Sequence, residues 1–225
     1  MDRQYETVRV EDRGDGLLLL TLNRPEIANA MNTQMGRDLL GFFETINAAP
    51  AEQRCIVLTG AGERAFCAGG DLKERNGMTD EAWQDQHLLF ERMVRAFAGC
   101  PVPVIGAVNG AAYAGGCELV LLCDFIYAAE TARFALTEVT LGIMPGAGGT
   151  QNLPRAIGER RAKEIILTGR PFSAEEAYQW GMVNRLCAPG RVVEEALETG
   201  RRIADNAPIA VRQACNRSRL KAHSR

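Results

Sequence analysis

Two glutamates in this sequence stand where a carboxylate can do chemistry. Glu118 is flanked by Cys117 and by Leu119-Val120-Leu121-Leu122. Burial within so apolar a run would raise its pKa towards the working pH of a proton-transfer group. Glu138 sits in Leu136-Thr137-Glu138-Val139, just ahead of the glycine-rich loop IMPGAGGTQ. Alone, each could be a glutamate on a wet face or a strand edge. Together they offer one group to take a proton and one to deliver it. Around them lie three glycine-bearing segments, AFCAGGDLKE (65–74), VNGAAYAGGCELVLLCDF (108–125) and LTEVTLGIMPGAGGTQNLPRAIG (136–158). Any one Gly-Gly pair is commonly a turn or a close backbone crossing. Glycine also lets a backbone N–H approach an oxygen on which negative charge develops. Gly70 precedes a helix that Asp71-x-x-Glu74 would cap, and Gly115 opens the short helix leading to Glu118, where the helix dipole favours an anion.

The elements that must position these groups follow from hydrophobic periodicity. YETVRVE, the Gly14-Asp15-Gly16 turn and LLLLTLN read as a hairpin. Residues 32–48 form an amphipathic helix, and CIVLTG (55–60) is a continuous apolar strand buried on both faces. A second cycle predicts a helix over 80–98, a strand over 102–108, the helix from Gly115 and a strand over 124–128. Beyond Thr150 the chain reads as helices, with Ser173-x-x-Glu176 as a capping box. The chain is thus an α/β protein, with a core over 1–190 and a C-terminal helical segment over 191–225. No fixed-period repeat is evident in the sequence.

Other chemistries are poorly supported. Gly60-x-Gly62-x-x-Ala65 follows a strand, but Phe66-Cys67-Ala68-Gly69-Gly70 is a poor helix start, so a dinucleotide fingerprint is rejected in favour of a turn. The two histidines, His87 within a helix and His223 near the end, are not placed as a general base or metal ligands, and no metal site is expected. Nucleophile-elbow, phosphate-loop and zinc-helix motifs are absent. A formal net charge of -2 gives no reason to expect nucleic acid, and the basic residues from Arg212 to Arg225 read as a solvated helix face or frayed end. No apolar run is long enough to cross a membrane, and the N-terminal stretch resembles neither a signal nor a transit peptide, so a cytoplasmic protein is expected. The seven cysteines, lacking any C-x-x-C pair, read as reduced and buried.

The glycine segments, in this order and with the opening LNRPEIANAMN (22–32), closely resemble the enoyl-CoA hydratase/isomerase (crotonase) family over almost the whole chain. That resemblance implies a repeated ββα superhelix with a helical C-terminal region. It implies a hydratase that adds water to a 2-enoyl-CoA, with coenzyme A as part of the substrate and no separate cofactor. Gly70 and Gly115 match the positions whose amides form the family's oxyanion hole. Glu118 matches the residue that activates water, Glu138 the residue that donates the α-proton, and Ala68 the residue whose carbonyl meets adenine. Ala28, Asp71 and Leu72 fall at substrate-binding positions by the same matching, and Asp124 at a structural acid. An isomerase of the same family, or a catalytically silent acyl-CoA-binding protein, are the alternative readings. The sequence departs from the family at Ala114, where a glycine is usual, and at Gly70, where an alanine is. Family members continue past a segment like APIAVRQACN into helices that close the acyl pocket and build a trimer or a dimer of trimers. With RSRLKAHSR in that place, a shortened tail is expected.

Overall fold

A computed structural model of the chain describes residues 4–222, with side chains described through residue 216. His223 and the end of the basic stretch lie outside the described residues. The predicted hairpin is β1 (Val8–Asp12) and β2 (Leu17–Leu22), antiparallel, with Val8 opposite Leu22. The buried strand is β3 (Cys55–Gly60), fully buried as its unbroken apolar run requires, and parallel to β2. Parallel strands β5 (Val104–Val108), β7 (Phe125–Ala129) and β10 (Arg185–Cys187) complete a six-stranded sheet in the order β1-β2-β3-β5-β7-β10.

A second sheet has the order β4-β6-β8-β9, from β4 (Ala65–Cys67), β6 (Ala111–Tyr113), β8 (Arg133–Ala135) and β9 (Phe172–Ser173). Its first three strands are parallel. The chain visits the large sheet, then the small one, then a helix. This unit runs β3–β4 into α2 (Leu72–Arg75) and α3 (Asp80–Ala98), β5–β6 into α4 (Gly115–Leu122), and β7–β8 into α5 (Gly149–Ile157). The ββα repeat therefore exists in the architecture without a repeat in the sequence.

Between and beside the sheets lies the main core, which includes α1 (Thr33–Ala48) and α3. The α1 start is capped by Asn32, whose side chain accepts from the Met35 N–H at 2.9 Å. The two helices cross closely: a Cβ at Gly36 would stand 2.6 Å from Phe90, while Phe43 stacks on Phe97 at 4.3 Å. Helices α6 (Glu159–Thr168), α7 (Ala174–Gln179), α8 (Val192–Ala204) and α9 (Pro208–Ala222) follow. Helix α8 covers the other face of the large sheet, packing Val192, Ala196 and Leu197 with Leu17, Cys55 and Ile105. Ser173 and Glu176 form the expected capping box at α7. Asp124 has a structural place, accepting from the Val104 N–H at 2.8 Å. Of the cysteines, Cys55, Cys67, Cys100, Cys117 and Cys187 are buried as expected, whereas Cys123 and Cys215 are only partly buried. Among the described residues no helix is long and apolar enough to cross a membrane.

Candidate active site

The three glycine-bearing segments leave the carboxyl ends of three neighbouring parallel strands, β4, β6 and β8. In parallel sheets those ends are where ligands gather. After β4 the chain passes Ala68-Gly69-Gly70, and Gly69 takes φ +97°. A Cβ on Gly69 would lie 2.9 Å from both the Ala114 Cβ and the Tyr113 carbonyl oxygen. Only glycine lets the loop after β4 rest directly on the loop after β6. That contact brings Gly70 and Gly115 to one cavity of about 640 Å³.

Both of their amides are unengaged. Met31 N–H donates to Gly69 O at 2.8 Å and Asp71 N–H donates to Met31 O at 2.9 Å. This parallel bridge passes over the Gly70 N–H. Gly115 is the first residue of α4, so its N–H has no intrahelical acceptor. Among the described hydrogen bonds neither N–H is a donor. A carbonyl oxygen reaching both would gain charge stabilisation as it became an oxyanion. Ala114, the residue that turns the chain into α4, holds φ 47° and ψ -124°, a conformation that strongly favours glycine.

One turn along α4, Glu118 reaches the same cavity and is 3% exposed. Its Oε1 accepts from the Ala147 N–H at 2.7 Å and the Gly149 N–H at 2.8 Å. Burial pushes its carboxyl up to about 7, with ionised Glu138 adding to the rise and the loop amides opposing it. Glu138 opens a single 3-10 turn, Glu138–Leu141, rather than lying at an exposed strand edge, and is 6% exposed. Burial raises its pKa as well, and its Oε2 is buried without a hydrogen-bond partner. The amides on Glu118 favour its ionised form, whereas the bare Oε2 of Glu138 favours a proton there. Such an arrangement suits one base and one acid in a shared, low-dielectric space.

Ala68, Gly70, Leu72 and Gly115 line the cavity with the two glutamates. Ala28 and Asp71 stand beside it as framework. Ala28 O accepts from the Ala68 N–H at 3.0 Å, and Asp71 caps α2 while pairing with Arg24 at 3.0 Å, which holds its carboxyl below the usual range. Sequence reasoning did not foresee the Ala147 and Gly149 amides on Glu118. It also missed Arg75, Gln86 and His87, which line the cavity from α2 and α3. Arg75 stands on α2 and Gln86 and His87 on α3, and no local pattern in either helix marks these side chains as cavity-lining. No group of three His, Cys, Asp or Glu side chains among the described residues could hold a metal.

Residues 12–225 match the family model described as enoyl-CoA hydratase/isomerase. The chain is 40% identical to the mitochondrial enoyl-CoA hydratase of Pongo abelii, over 93% of the chain and 72% of that protein. It is 38% identical to the short-chain-enoyl-CoA hydratase of Clostridium acetobutylicum, over 95% of the chain and 82% of that protein. The crystal structure of enoyl-CoA hydratase from Bacillus anthracis superposes with a TM-score of 0.91 at 42% identity, covering 97% of this chain and 88% of that one.

Proposed function

Because the chain belongs to the enoyl-CoA hydratase/isomerase family, we propose that it adds water across the double bond of a 2-enoyl-CoA to give a 3-hydroxyacyl-CoA. The thioester oxygen accepts from the Gly70 and Gly115 amides. Water held at Glu118 gives that carboxylate a proton as its oxygen bonds to C3. The electrons move to the thioester oxygen, forming an enolate that the two amides stabilise, and C2 then takes a proton from Glu138. Both hydrogen and hydroxyl arrive from the side of the acyl group on which the glutamates stand, so addition is syn.

The observation that carries this reading is the pair of buried carboxylates with opposite hydrogen-bonding demands, beside two unengaged amides. An isomerase moves one proton between C4 and C2 and needs only one such group. The test is turnover of crotonyl-CoA against a 3-enoyl-CoA, followed at the conjugated thioester absorbance. Glu118→Gln and Glu138→Gln should each lower hydration by about 100- to 10,000-fold with the circular dichroism spectrum unchanged. Near-normal hydration in either variant defeats the assignment. Tight acyl-CoA binding without turnover of any enoyl-CoA would make the protein a binder rather than an enzyme.

A further inference from the structure

Arg75 is the one arginine or lysine among the residues lining the cavity. Its guanidinium lies against the Gly70 backbone. A Cβ on Gly70 would stand 3.0 Å from its Cζ and 3.2 Å from each terminal nitrogen. The group is held in place rather than loose. Its Nε donates to Gln86 Oε1 at 3.1 Å, and its Cζ lies 5.8 Å from the Phe90 ring centre. Gln86 is 2% exposed, and its amide orientation is fixed because Nε2 donates to Thr33 Oγ1 at 2.8 Å and Glu74 Oε2 at 2.9 Å. Gln86 thereby positions the guanidinium while leaving both terminal nitrogens without a hydrogen bond or ion pair among the described residues.

A part-buried cation on an aromatic face, anchored through one nitrogen only, favours an anion on its other two. A carboxylate meets two parallel N–H donors with matching geometry. The donor pair stands at Gly70, whose amide would take the thioester oxygen, so the anion belongs to the acyl group. The phosphates of coenzyme A are held away from the thioester by the whole pantetheine arm. Resting on the hydratase reading above, we infer that Arg75 selects 2-enoyl-CoA substrates whose acyl chain ends in a carboxylate.

The experiment compares kcat/KM for glutaconyl-CoA and 2-hexenedioyl-CoA with that for their neutral counterparts, crotonyl-CoA and 2-hexenoyl-CoA. The wild-type protein should prefer at least one of the acids. Arg75→Met should lower the acid-to-neutral ratio by about 100-fold, and Arg75→Lys, which keeps a point charge, by less. A wild-type preference for the neutral thioesters, or an equal fall for acid and neutral substrates in Arg75→Met, overturns the inference. Should the methionine variant fail to fold, Arg75→Gln is read in the same way. If the wild-type protein hydrates nothing, the hydratase reading has failed on its own. Calorimetric binding of glutaryl-CoA against butyryl-CoA then decides the selectivity: a preference for glutaryl-CoA that Arg75→Met abolishes supports it, and equal affinities refute it.

Discussion

The Gly149 N–H donates to Glu118 Oε1 at 2.8 Å, and a Cβ built on Gly149 would stand 3.0 Å from that same oxygen. The glycine is thus both the carboxylate's hydrogen-bond donor and the space it occupies. Gly149→Ala would also press on Pro145 at 3.0 Å and Leu136 at 3.1 Å, so the new methyl has no free direction. Glu118 must move by a few tenths of an ångström and lose the alignment of its two amide bonds. Misplacement of a reacting group on this scale can cost on the order of 100-fold. We expect kcat for crotonyl-CoA to fall by about that factor while KM changes little, read by steady-state kinetics. An unchanged kcat would mean that the position of Glu118 does not govern the step.

The pH profile should carry the raised carboxyl of Glu118. In the proposed reaction Glu118 acts ionised, and its proton is retained up to about pH 7 instead of the ordinary 4.5. The acid limb of kcat/KM should therefore bend near 7, as an apparent value belonging to the coupled pair. A limb near 4.5 in the wild-type protein would show that Glu118 titrates as an ordinary surface glutamate.

The same burial makes a statement about stability. In the unfolded chain Glu118 ionises near 4.5, but the folded protein holds the proton to about 7. Between those values the folded state binds more protons, so wild-type stability declines as pH rises through this window. Below 4.5 the penalty is absent, and above 7 it is complete at about 3 kcal/mol. Glu118→Gln keeps an oxygen acceptor for Ala147 and Gly149 but has no charge to bury. Its unfolding free energy should exceed the wild-type value at pH 8 and converge with it towards pH 4.5, measured by urea denaturation. A gap that does not change with pH would contradict a buried ionised Glu118.

How much of this was legible from sequence depended on length and locality. β3 and α3 carry long apolar patterns, and their predicted bounds at Cys55–Gly60 and Asp80–Ala98 coincide with the structure. The strands β4, β6 and β8 are three residues each, AFC, AAY and RFA, too short for an alternation to register. β10 went unseen for the same reason, within a stretch that reads as helical. The glutamates and glycines of the site could be named because each sits in a distinctive local run. The Ala147 and Gly149 amides on Glu118, and the Gln86 clamp on Arg75, join residues that local patterns leave apart. They exist only once the helices have packed over the glycine loops.

Ala114 offers a test of how that geometry is held. Its φ of 47° with ψ -124° costs an L-residue about 1–3 kcal/mol, whereas glycine adopts it freely. The strain is sustained locally: the Ala114 N–H donates to Ala135 O at 2.8 Å, and its carbonyl accepts the Glu118 N–H at 3.1 Å. These two bonds tie the strained residue to β8 on one side and to the turn of α4 that carries Glu118 on the other. Ala114→Gly removes the strain and loses a little to the greater freedom of the unfolded chain. The net gain should be about 1 kcal/mol in urea unfolding. A loss of stability would show that the Ala114 methyl packs well enough to outweigh the conformation it is forced to hold.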